Sequence, residues 1–352
     1  MLRLALSLIV FCTFYQGTAF AEAQPGIIRY DTLHHPIIAR QGMVVSQRKL
    51  ASQIGADILA KGGNAVDAAV ATGFALGVTL PRAGNLGGGG FMLVYLADEK
   101  KTIALDYREM APALAGRDMF LDAEGNVDRD KARYSALSSG VPGTVAGLTE
   151  ALAAYGTMSL TEVMQPAIDL AQNGFLIPWD LAEILKARRE KLTEHPDARK
   201  IFYKSNGAPY EPGERLKQPE LARTLKAIAR LGPAAFYNGT IASQIVKEMR
   251  RQGGIMTLTD LANYKVGFPQ PVTGKYRDYD IVSMPPSSSG GVHIVQMLNI
   301  LEQYPMKEFG ANSAKTIHIM TEAMKLAYAD RSEYLGDQDF YDVPIDGLTN
   351  KD

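Results

Sequence analysis

Arg108 occupies a position from which an arginine could do chemistry. It lies in Leu105-Asp106-Tyr107-Arg108-Glu109-Met110-Ala111-Pro112, where a strand ends and the chain turns toward a proline. A guanidinium offers a rigid fork of donors that matches a carboxylate, so Arg108 could clamp an acidic group of a substrate. On these residues alone, an ordinary salt bridge with Asp106 or Glu109 is the simpler account.

The densest glycine run is Gly84-Asn85-Leu86-Gly87-Gly88-Gly89-Gly90, just before Phe91. Phosphate-cradling glycine loops lead from a strand into a helix and are followed by Lys-Ser or Lys-Thr. This run leads into a strand and is followed by Phe91-Met92, so close chain packing beside a site is the better reading. A third segment, Met284-Pro285-Pro286-Ser287-Ser288-Ser289-Gly290-Gly291, joins a strand to a helix. Its hydroxyls and amides could hold an anion or oxyanion, but a helix-capping turn explains it more simply.

Other chemistries find no support in the spacing. The histidines are His34, His35, His195, His293 and His318. They form no His-Glu-x-x-His motif, and no Gly-x-Ser-x-Gly elbow is present to go with them. His318 and Glu322 share a helix face, yet two ligands do not make a metal site. The acidic end (Asp337, Asp339, Asp342, Asp346) does not follow calcium-loop spacing. No metal or cofactor is expected. Arg188-Arg189, within KARREK, reads as a solvated helix face.

The elements that must position these groups are helices alternating with short strands. Met43–Val45 is a strand candidate, and Ser46 a candidate cap for the helix carrying Leu50, Ile54 and Ile58. Gly62-Gly63 should close that helix and Asn64 cap the next. Residues 65–79 are apolar nearly all round, which predicts a deeply buried helix stopped by Pro81. Phe91–Leu96 and Thr102–Leu105 read as a strand pair, and Tyr279–Ser283 as a further strand. Helices are expected over 143–154, 161–172, 179–195, 219–230, Thr240–Gln252, 290–303 and 313–333. In the last, Ile317, Met320, Met324, Ala327 and Arg331 fall close to one stripe. Thr257-x-x-Asp260 resembles a capping box. Strand pairs that are segregated rather than regularly alternating with helices argue against a doubly wound sheet.

The chain has 352 residues, 46% hydrophobic and 21% charged, with 37 Lys+Arg against 38 Asp+Glu. That balance supports a sizeable core and rules out a disordered chain. It supplies no overall charge for nucleic acid or an anionic membrane. Met1–Ala21 reads as a secretory signal, with Arg3, the apolar run Leu4–Phe14 and the pattern Ala19-Phe20-Ala21. The single cysteine, Cys12, lies inside it, so the exported chain would have neither disulfide nor thiolate. No stable membrane anchor is expected after cleavage near Ala21.

Several segments in order resemble one family. They are Gly62-Gly63-Asn64-Ala65-Val66-Asp67-Ala68-Ala69, the Gly84–Gly90 run, and Asp106-Tyr107-Arg108-Glu109-Met110-Ala111-Pro112. Gly140-Val141-Pro142-Gly143-Thr144, Gly253-Gly254-Ile255-Met256-Thr257, Pro285-Pro286-Ser287-Ser288-Ser289-Gly290-Gly291 and Ala327-Tyr328-Ala329-Asp330-Arg331 follow. Together they resemble the large-subunit part of bacterial γ-glutamyltranspeptidases, also called glutathione hydrolases.

The resemblance implies an α+β, N-terminal-nucleophile hydrolase fold, an αββα sandwich of two central sheets between helix layers. It implies a precursor that cuts itself into large and small subunits. A Thr exposed at the small subunit's start would then take the γ-glutamyl group of glutathione or a related compound as an acyl-enzyme. Residues 22–352 would form a large-subunit-like domain, incomplete at its C-terminus. Arg108 matches the family arginine that binds the substrate α-carboxylate, and Gly87–Gly90 match a glycine stretch without an assigned role. No catalytic nucleophile carries over, because the sequence has no Thr-Thr pair. The nucleophile and oxyanion hole would come from a small subunit encoded elsewhere or lost. The chain would act in the periplasm or be secreted. The alternative is a catalytically inactive truncated relative that at most binds γ-glutamyl ligands.

Overall fold

The computed structural model describes residues 37–351, so the Met1–Ala21 signal, Cys12, His34 and His35 lie outside the described residues. The chain is a mixed helix-and-strand protein, as expected. Helix α1 (Lys49–Ala60) is not capped by Ser46, because Arg48 stands at the cap position and makes no side-chain cap bond. The Ser46 hydroxyl donates to the Arg48 carbonyl at 3.0 Å instead. Met43–Val45 forms no strand, since no neighbouring strand offers it a ladder.

Helix α2 (Ala65–Thr79) is the centre of the core. Its N-terminus carries the Asn64–Asp67 capping box: Asn64 Oδ1 accepts from the Val66 and Asp67 amides, and Asp67 Oδ2 from the Asn64 amide at 2.7 Å. Buried side chains on every face, among them Val70, Phe74 and Val78, account for the all-round apolar pattern. It packs against α1, α4 (Thr144–Tyr155) and α5 (Leu160–Asn173), after the short α3 (Arg129–Tyr134).

Around this centre lie β1 (Phe91–Leu96) and β2 (Lys101–Asp106), an antiparallel ladder with Phe91 opposite Asp106. The helix expected over 179–195 is two: α6 (Trp179–Ala187) and α7 (Arg189–Thr193), broken at Arg188, followed by α8 (Pro196–Phe202). The two-residue strands β3 (Phe175–Leu176) and β4 (Arg215–Leu216) flank this group. Helix α9 (Pro219–Leu231) buries Ala222, Leu225 and Ile228. Then come α10 (Ala234–Tyr237), α11 (Thr240–Arg251) and α12 (Leu258–Asn263). The last opens on the expected Thr257–Asp260 capping box.

The remaining segment contains the hairpin β5 (Val272–Tyr276) and β6 (Tyr279–Ser283), then α13 (Val292–Glu302), α14 (Met306–Phe309), α15 (Ala314–Tyr334) and α16 (Ile345–Leu348). The stripe on α15 is buried only in part. Ala323 and Ala327 pack inward, but Ile317, Met320 and Met324 are 54%, 44% and 43% exposed. A heptad-like stripe marks a face that can be covered, and in this fold α15 meets mainly α13 and α14. The two continuous sheets implied by the resemblance are likewise not formed among the described residues. The strands make three separate two-stranded ladders, and Leu93 and Tyr95 of β1 face solvent.

Candidate active site

The glycine run is packing material for the segment that presents Arg108. Gly90 and Tyr107 exchange backbone hydrogen bonds at 3.1 and 3.0 Å, and the amides of Gly143 and Thr144 donate to the Gly88 carbonyl. A Cβ on Gly89 would stand 2.5 Å from the Tyr107 carbonyl oxygen and 2.7 Å from the Glu109 nitrogen. A Cβ on Gly147 would collide with the Tyr107 ring. Three chain segments therefore meet at backbone distance, which only residues without side chains permit. The Gly88 carbonyl and both backbone groups of Gly90 are thus used inside the protein.

Arg108 emerges from this clamp with its backbone held at both ends. Its amide donates to Asp106 Oδ1 at 2.9 Å, and its carbonyl accepts from the Tyr264 hydroxyl at 2.9 Å. Tyr264 is stacked on Tyr237, whose hydroxyl donates to the Pro142 carbonyl at 2.8 Å. Burial pushes both phenols well above their ordinary range, so they serve as neutral donors. The salt bridge to Asp106 or Glu109 is not formed: the Asp106 carboxylate takes Arg108's amide rather than its guanidinium.

The guanidinium reaches across to the serine loop. Nη1 donates to the Ser287 carbonyl at 3.3 Å and lies 3.4 Å from its Oγ, while the head sits 6.0 Å from the Phe91 ring centre. The other nitrogens have no partner among the described residues, and the side chain is exposed. One edge of the fork is held and the rest is open to a carboxylate.

Reasoning from sequence missed two contributors here. The serine loop reads as a cap, yet Gly291 stands at the cap position of α13 with no side-chain cap bond, and Ser287 is turned to Arg108. The acidic end, unfit for calcium, comes round to Asp106. Burial raises the Asp106 carboxyl and the charges of Asp337 and Asp339 add to it, against the opposing pull of the Arg108 amide and guanidinium. The only prior signal was the clustering of Asp at 337–346, which has no local spacing rule.

The histidines do not converge. His293 is buried, with Nδ1 2.9 Å from Gln296 Oε1, and Gln296 in turn bonds Asp330. Glu322 pairs with Lys325 rather than acting with His318 as a ligand pair. Among the described residues no group of three or more His, Cys, Asp or Glu could hold a metal ion, and no helix is long and apolar enough to cross a membrane.

A family profile described as Gamma-glutamyltranspeptidase matches residues 51–352. The chain is 52% identical over 353 residues to the glutathione hydrolase proenzyme of Escherichia coli K12, covering 99% of this chain and 60% of that protein. The match to the glutathione hydrolase proenzyme of Bacillus subtilis strain 168 is 43% over 333 residues, with 94% and 56% covered. The chain thus spans less than two thirds of the length of these curated relatives. The crystal structure of Helicobacter pylori γ-glutamyltranspeptidase superposes with a TM-score of 0.88 at 48% identity, covering 90% of each chain.

Proposed function

Because the chain belongs to the γ-glutamyltranspeptidase family, we propose that it is the large-subunit part of an enzyme that hydrolyses or transfers the γ-glutamyl group of glutathione and similar compounds. The observation that carries this reading is the half-held, otherwise unpaired guanidinium of Arg108. In this reading Arg108 takes the substrate α-carboxylate, and Ser287 and the Tyr264 hydroxyl keep the arginine in place. The nucleophilic Thr and oxyanion donors belong to a small-subunit segment. Its hydroxyl adds to the γ-carbonyl carbon, its own α-amine carries the proton to the departing amine, and water or an amino acid then releases the acyl group.

Two features support a partner of that kind. The β1–β2 and β5–β6 hairpins have unpaired edges that further strands would extend into the sandwiched sheets of the family. The exposed stripe of α15 with Ile317, Met320 and Met324 is apolar surface that a second segment would cover. The proposed site of action is the periplasm or the medium, after removal of Met1–Ala21.

Purified residues 22–352 are expected to release no p-nitroaniline from γ-glutamyl-p-nitroanilide, and turnover is expected once a separately expressed small subunit is added. Turnover by the pure chain would overturn the division of labour. Silence in the presence of a small subunit would favour an inactive relative that only binds. In the active pair, Arg108→Ala should lower kcat/KM by roughly a hundredfold or more, the scale of a lost charge-assisted fork. An unchanged value would remove Arg108 from the substrate site.

A further inference from the structure

The basic stretch at 186–191 is exposed to solvent, as expected, but it is not one continuous helix face. The helix breaks at Arg188, and α7 turns Arg189 so that its Nε donates to the Gly207 carbonyl at 3.0 Å. Arg199, on α8, arrives at the same place from another element. A Cβ built on Gly207 would stand 3.5 Å from Arg199 Nη2 and 3.9 Å from Arg189 Nη2, so both guanidiniums face one point. Lys186 and Asn206 join them in lining a cleft of about 580 Å³. Asn206 Oδ1 already accepts from the Ala208 amide, which leaves its NH2 group as a donor.

The charge in this cleft is unbalanced. Glu190 is the one acidic residue in the lining. Among the described residues no carboxylate comes within 4.0 Å of Lys186, Arg189 or Arg199. Two guanidiniums aimed at one point repel unless an anion lies between them. A single carboxylate satisfies one fork, whereas the oxygens of a tetrahedral phosphate can accept from two forks at once.

We propose that the cleft between α6, α7 and α8 binds a phosphate group, as the free ion or as the ester of a small molecule, between Arg189 and Arg199. The site shares no residue with the Arg108–Ser287 cluster and does not depend on the function proposed above.

The test is a calorimetric titration of the chain with inorganic phosphate, and in parallel with glycerol phosphate, at ionic strength held constant with sodium chloride. Saturable binding is expected, weakened roughly tenfold or more by Arg199→Ala, about the loss of one charge-assisted fork. Among the described residues the Arg199 side chain makes no hydrogen bond or ion pair, so the variant should keep the wild-type circular dichroism spectrum. Arg117→Ala, an equal charge change in an exposed loop, should bind as wild type does. Tighter binding of the ester would make an esterified phosphate the ligand, and tighter binding of the free ion would make it the ion. Absence of saturation in the wild type would overturn the proposal. So would equal binding by Arg199→Ala, or equal competition by succinate.

Discussion

From α1 to α12 the apolar side chains meet in one continuous cluster that includes Phe74, Leu105, Met164 and Ile228. From β5 to α16 the corresponding cluster is Val272, Val292 and Val295, with Ile281, Ile345 and Leu348 packed on it. The first region closes on itself, even at α2, which is buried on all faces. The second has enough apolar residues but leaves those of α15 in solvent. Burial rather than apolar content makes stability, so the first region should fold as the molecule's foundation and the second should depend on what covers it. Arg108 is anchored in the first region and its Nη1 rests on Ser287 of the second. The geometry of the fork therefore depends on the weaker half.

The sharpest way to break this contrast is to empty the strong core. Phe74→Ala should cost about 3–5 kcal/mol, read as a lower urea midpoint for the whole chain. A loss below about 1 kcal/mol would mean that α2 is not the centre of the core.

A smaller effect is expected at Asp67, which ties the start of α2 to the turn before α5. Burial alone would raise its carboxyl. The Thr157 hydroxyl and the amides of Met158, Asn64 and Thr157 outweigh burial and hold it below the ordinary value. A carboxyl depressed in the native state contributes fully above the unfolded value near pH 4, and its contribution is lost as pH falls through the native value. Asp67→Asn should cost about 1.5–3 kcal/mol at pH 7. Its melting temperature should approach that of the wild type as pH falls below about 4. A gap of constant size from pH 7 to pH 2 would contradict this role.

The smallest effect belongs to the weak core. Val295→Ala removes two buried carbons, about 1.6 kcal/mol at the usual cost per methylene. Hydrogen exchange should quicken across residues 272–351 while 49–264 keep their protection. Equal loss of protection in both regions would show that they unfold as one unit.

Local chemistry was legible where hydrogen bonds close within a few residues. The Asn64–Asp67 and Thr257–Asp260 boxes appear where expected, because donor and acceptor are three residues apart. The β1–β2 pair was legible for a similar reason, a short polar turn between two apolar runs. What was misread depended on distant partners. Met43–Val45 has strand-forming residues but no neighbour to pair with. The 179–195 stretch carries a helical pattern that breaks at Arg188, beyond which Arg189 bonds the distant Gly207 carbonyl. The serine loop reads as a cap because Arg108 is 179 positions away in sequence.

By itself, the sequence determined the family, through an ordered set of motifs that no single one could establish, along with the helix starts and the candidacy of Arg108. Only the tertiary structure decided how those residues are used. It turned the glycine run into a clamp on Tyr107–Glu109, brought Ser287 to the Arg108 guanidinium, and aimed Arg189 and Arg199 at one point. Such outcomes come from contacts between segments far apart in the chain, and side-chain periodicity within a segment carries no information about which other segment will stand opposite.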